Sequence, residues 1–184
     1  MPSTRIYDKK VLVPEFFILA ERKCSVGVTF AQVEYFFFEA MQNGYAGGGK
    51  KTRVLDMPGF WEIEFNRGDW RCVDRWGGPE NSLFSAGTTT IWHEDVPVWF
   101  MTYGGWYDSR AIEILKVALR GNYIEKIFAG CRGPRSLKML GCSLVYTNQF
   151  RGTFANFSGQ ESVTHLLTNQ PLGHHNYAGI CLFS

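Results

Sequence analysis

Two stretches of this chain, about residues 60–105 and about residues 143–179, carry the same landmarks in the same order. The first reads Arg67-Gly68-Asp69-Trp70, Phe84-Ser85-Ala86-Gly87, Pro97-Val98-Trp99 and Tyr103-Gly104-Gly105. The second reads Arg151-Gly152-Thr153-Phe154, Phe157-Ser158-Gly159-Gln160, Pro171-Leu172-Gly173 and Tyr177-Ala178-Gly179. The step from proline to tyrosine is the same in both, 97 to 103 and 171 to 177. Recurrence on this scale predicts a duplicated supersecondary unit, hence two halves with a seam between them where a ligand could sit.

The material suits antiparallel sheet. Aromatic residues make 16% of the 184, with 15 Phe, 8 Tyr and 6 Trp beside 20 Gly, and rings on pleated strands with glycine at the bends are the usual substance of such a core. A net charge of +2 leaves no electrostatic footprint for nucleic acid or an acidic membrane, so direct binding to either is not expected. Cys24, Cys72, Cys131, Cys142 and Cys181 are odd in number and lack C-x-x-C spacing, which argues for free thiols in a reducing compartment. The start Met-Pro-Ser-Thr-Arg lacks a signal peptide's order, and no stretch nears the roughly 20 apolar residues of a membrane span. A cytoplasmic location is therefore expected.

Along the chain, residues 1–28 read as an N-terminal extension with a short helix from Pro14-Glu15, and residues 29–184 as one domain. Thr29 with Gln32 forms a capping box for a helix burying Phe30, Val33, Phe37, Ala40 and Met41, stopped at Gly44, and Phe36 and Phe38 widen its apolar stripe. Trp61, Ile63 and Phe65 alternate with Glu62 and Glu64 as a half-buried strand, and Asn66 to Asp69 is a turn into Trp70–Val73. Residues 76–85 read as a loop, Thr88–His93 and Val98–Tyr103 as strands, and Asp108 or Ser109 as the cap of a second helix through Leu115 and Leu119. The second meander is expected at 144–148, 153–157, 161–167 and 174–177. The predicted fold class is α+β: two antiparallel meander halves related by internal duplication, with two main helices packed on the sheets.

Phe37-Phe38-Glu39-Ala40, Tyr45-Ala46-Gly47-Gly48-Gly49, Pro58-Gly59, Gly68-Asp69-Trp70, Asp74, Pro97-Val98-Trp99, Tyr103-Gly104, Arg132-Gly133-Pro134, Gly159, Glu161 and Tyr177 occur in an order that resembles a known family. That family, bacterial and archaeal, is catalogued as a domain of unknown function that occurs alone or behind Xre-type helix-turn-helix regulators. The resemblance covers residues 33–180 and implies a fold and a sensing role. It brings no catalytic residue, and residues 1–28 show no helix-turn-helix pattern.

Candidate sites are few. The run Tyr45 to Lys51 follows a helix, whereas a nucleotide P-loop precedes one, yet Gly48 with Lys50 could form an anion-binding nest. Otherwise it is a helix-to-strand connection. Arg132 could supply a second charge, and Trp106 and Tyr107 a stacking wall. Cys131 beside Arg132 is read as a structural or solvent-facing thiol, Glu62 with Glu64 as a solvated face, and Asp69 and Asp74 likewise. His165 and His174 lie on neighbouring expected strands and could approach one another, while His174 and His175 must point to opposite faces.

No catalytic constellation is coherent, and no cofactor or metal is expected. The ligand-binding set is Tyr45, Gly48, Lys50, Trp106, Tyr107 and Arg132. The function expected first is a small-molecule-binding or sensing domain for a planar or nucleotide-like signal, with the pocket at the seam. The alternatives are a hydrolase or transferase assembled at that seam, and a homo-oligomeric interaction protein such as a homodimer.

Overall fold

A computed structural model describes residues 27–183. The extension helix at Pro14-Glu15 and Cys24 lie outside the described residues. Helix α1 (Phe30–Gln42) begins at the capping box anticipated above: Thr29 Oγ1 accepts from the Gln32 amide and the Gln32 side chain accepts from the Thr29 amide. Val33, Phe36, Phe37, Phe38, Ala40 and Met41 are all buried, so its wide apolar stripe is covered. Asn43 caps its end.

Nine strands follow among the described residues: β1 (Thr52–Arg53), β2 (Phe60–Arg67), β3 (Trp70–Gly77), β4 (Phe84–His93), β5 (Val96–Tyr107), β6 (Ser136–Met139), β7 (Leu144–Thr153), β8 (Asn156–His165) and β9 (Pro171–Cys181). Helix α2 (Ile112–Glu125) lies between β5 and β6, led in by a 3-10 turn that Asp108 caps through the Arg110 amide. The β4–β5 hairpin closes on Glu94-Asp95, both at positive φ, the two-residue turn whose twist matches the strands it joins.

The expected fold class needs correction. The two meanders do not stand apart with a seam between them; all nine strands form one antiparallel sheet in the order β1-β2-β3-β4-β5-β9-β8-β7-β6, and sheet far outweighs helix. The reason lies at the centre. β5 and β9 pair continuously from Trp99 opposite Cys181 to Tyr107 opposite Gly173, and a complete ladder between buried strands leaves no cleft. The strands expected at 153–157 and 161–167 are also redrawn: Phe154-Ala155 is the β7–β8 turn, and β8 runs unbroken from Asn156 through Gly159 to His165.

Burial alternates along the inner strands. In β9, Tyr177, His175 and Cys181 are buried while Asn176 and Ala178 are exposed, so α1 and α2 cover one face and leave the other open. On the covered face Trp99 stacks on Phe154 and Phe157 and meets Phe37 of α1, tying the helix to the sheet centre.

A second device shapes that face. Directly across from three of its tyrosines stands a glycine: Gly87 opposite Tyr103, Gly159 opposite Tyr177 and Gly173 opposite Tyr107. A Cβ at Gly87 would lie 2.6 Å from Tyr103 Oη, and one at Gly173 would lie 1.9 Å from the Tyr107 ring. The rings therefore lie flat across the neighbouring strand, and their hydroxyls reach the strand beyond. Gly87→Val should lift Tyr103 and lower stability by about 1–3 kcal/mol, the range of overpacking substitutions. Urea denaturation checks this, and an unchanged midpoint would show that the ring is not held over the glycine.

Candidate functional site

On the covered face, between β3, β4, β5 and β9 below and α2 above, lies a cavity of about 280 Å³. Asp74 and Trp76 reach it from β3, Thr89 from β4, Tyr103 and Tyr107 from β5, and His175 from β9. Ile112, Leu115, Leu119 and Tyr123 of α2 form its apolar roof, Tyr45 and Ala46 one rim, and Ser82 to Ser85 the other.

Asp74 is the first surprise. Trp70, Cys72, Asp74 and Trp76 alternate onto one face of β3, so the carboxylate is buried among apolar neighbours and not solvated as expected. Tyr103 Oη, lying over Gly87, donates to its Oδ1 at 2.7 Å, and Thr89 Oγ1 donates to the same atom at 3.0 Å. Oδ2 has no hydrogen-bond partner among the described residues. Burial pushes the carboxyl above its ordinary range, opposed by the two hydroxyls and by Arg132.

Arg132 and Glu161 form a buried ion pair beside the cavity. Nε donates to Glu161 Oε1 at 3.0 Å, Nη2 donates to the same oxygen, and Tyr146 Oη donates to Oε2 at 2.6 Å. Burial alone would raise Glu161, but attraction to Arg132 and the bonds from Arg132 and Tyr146 outweigh it and hold the carboxyl below its ordinary value. The segment around Arg132 is braced further, since Asn122 of α2 donates to its carbonyl and the Gly133 amide donates to Tyr146. Arg132 thus serves the fold, and among the described residues Nη1 alone of its nitrogens has no partner.

His175 sits 4.6 Å from the Tyr107 ring and 6.0 Å from the Tyr103 ring, centroid to centroid. It is 5% exposed, and neither ring nitrogen has a partner among the described residues. Burial and then the Arg132 charge lower its pKa to about 4, so the imidazole is neutral at pH 7. Tyr107 Oη is likewise buried without a partner among the described residues, its pKa raised by burial and then by the Glu161 carboxylate. A neutral imidazole carries one donor and one acceptor, so this side chain presents both.

Of the six ligand-binding residues expected, Tyr45, Tyr107 and Arg132 line the cavity and Gly48, Lys50 and Trp106 do not. The glycine run is consumed in closing α1: a Cβ at Gly47 would lie 1.8 Å from the Gln42 carbonyl oxygen, and the Gly49 amide donates to Gly44. Gly48 and Lys50 do not reach the cavity, and Lys51 and Arg53 rest on the Trp61 ring at the sheet edge. Trp106, adjacent to Tyr107 in the strand, points to the opposite face, opposite Phe84 and His174.

Other candidates resolve simply. Glu62 pairs with Arg75, Cys131 is a buried thiol whose pKa burial raises, and His174 stands opposite Ser162, not His165. Asp69, His93 and Glu94 come together at the hairpin turns, where the two acids are exposed. No described helix is long and apolar enough to cross a membrane.

The fold and cavity together define a single-sheet antiparallel domain with an inlet on its helix-covered face. The chain belongs to the family described as a domain of unknown function, DUF5680, whose sequence profile matches residues 78–181. Tyr103, Arg132, Glu161 and His175 fall inside the matched segment, while Tyr45 and Asp74 precede it. Searches of curated proteins and of solved structures found no significant match.

Proposed function

We propose that this domain binds one compact small molecule in the cavity roofed by α2, as a sensing or carrier module without chemistry of its own. One observation carries the reading: among the described residues His175 Nδ1, His175 Nε2 and Tyr107 Oη are buried and unpaired, and Asp74 lines the same cavity with both of its donors on Oδ1. Each unsatisfied buried polar group costs about 1–3 kcal/mol, a cost that a complementary ligand relieves. The resemblance to domains found behind Xre-type regulators supports sensing over carriage. The cavity is near the lower end of the usual range for ligand pockets, so the occupant is about the size of one ring system.

A thermal-shift screen of a broad metabolite library tests this. Compounds are expected that stabilise the wild type but neither Ala46→Trp nor Ser82→Trp, two rim substitutions that block the inlet. A library with no stabilising compound, or compounds that act equally on the blocked variants, would overturn the reading.

A further inference from the structure

Resting on that reading, we propose that the ligand is an amino-substituted nitrogen heterocycle, neutral or cationic and carrying no phosphate, whose N–H edge meets Asp74 and whose ring nitrogens meet His175 and Tyr107.

The charge balance is the first argument. Arg132 is compensated by Glu161, which leaves the Asp74 carboxyl as the uncompensated group in the cavity wall. Lys50, Lys51 and Arg53, the cations that could have bound a phosphate, are absent from that wall. Lys116 stands over the Tyr45 ring at the rim, but among the described residues the one cation in the wall itself is Arg132, already paired with Glu161, so inside the cavity an anionic ligand would face the Asp74 carboxyl.

The second is hydrogen-bond complementarity. An alkylammonium has donors only and cannot satisfy both nitrogens of a neutral imidazole. A heterocycle bearing an amino group offers donors and acceptors in one plane, and the rings of Tyr45, Trp76, Tyr103 and Tyr107 give that plane apolar walls.

The third comes from the other flank of the sheet. Tyr177 lies over Gly159 and donates to Asn148 Oδ1, the same cross-strand geometry as Tyr103 over Gly87 donating to Asp74. There, Asn148 Nδ2 donates to the carbonyls of Ala129 at 2.8 Å and Gly133 at 2.7 Å, so the chain's own acceptors complement an amide donor. At the cavity a carboxylate replaces the amide and no main-chain group bonds to it among the described residues. The group that completes that position is a donor.

Calorimetric titration with adenine, cytosine, hypoxanthine, uracil, adenosine, AMP, choline and benzoate tests the proposal. Adenine or cytosine should bind at least tenfold tighter than its oxo counterpart, hypoxanthine or uracil, and AMP no tighter than adenosine. Asp74→Asn keeps the acceptor used by Tyr103 and Thr89 but turns the free oxygen into a donor. It should cancel or reverse the amino-over-oxo preference, a readout that lost stability alone would not produce. Tighter binding of AMP, choline or benzoate, a preference unchanged in Asp74→Asn, or no binding by any amino heterocycle would overturn the inference. The ligand-binding reading would survive those results wherever the broad screen still finds a cavity-dependent compound.

Discussion

Arg132→Ala is expected to lower unfolding free energy by about 3–5 kcal/mol, a large share of the roughly 5–15 kcal/mol of an ordinary domain. The substitution strands Glu161, which is fully buried, with Tyr146 as its one remaining donor among the described residues. It also removes the side chain that links β8 to the segment entering β6. Arg132→Met combined with Glu161→Leu should recover most of the loss, because a buried pair replaced by apolar groups of like volume is often neutral. Urea denaturation of the two variants decides the matter. A single variant within 1 kcal/mol of wild type, by the same yardstick, would show that the pair is solvated and not a brace.

Acid should weaken the fold through His175. In the unfolded chain this imidazole takes a proton near pH 6.5 and in the folded chain only near pH 4, so between these values the unfolded state binds more protons. Stability therefore falls as pH drops through this window, by about 3 kcal/mol at pH 4 from this one group. Asp74 pulls the other way, since its raised pKa favours the folded state on acidification, and Glu161, with a lowered pKa, adds to the loss. His175→Phe keeps a ring between Tyr103 and Tyr107 and removes the titration. The wild-type minus variant difference should shrink by about 3 kcal/mol from pH 7 to pH 4 in chemical denaturation. Parallel pH curves would mean that the imidazole reaches solvent.

Local chemistry was legible in the chain. The Thr29–Gln32 box, the helical stripe through Val33 and Phe37, the turn at Gly68-Asp69 and the alternation of Trp61, Ile63 and Phe65 are each specified within a few residues, where backbone sterics and capping act. Part of the cavity was legible too. Asp74 shares a strand face with Cys72 and Trp76, and an acid on an apolar face is the mark of a buried charge, a signal passed over in reading it as solvated. His175 alternates with Tyr177 in the same way.

By itself, then, the sequence determined an aromatic, antiparallel-sheet domain with two helices and the landmarks of its strands, because periodicity and turn residues act over short range. Only the tertiary structure decided that β5 and β9 join everything into one sheet, since strand pairing across some seventy residues depends on which faces are buried, and no local pattern encodes it. The same distance hid the site. Arg132 finds Glu161 29 residues away, Tyr103 reaches Asp74 29 residues away across a glycine, and Trp106 and Tyr107, adjacent in sequence, are sent to opposite faces by a pleat whose phase the core alone sets.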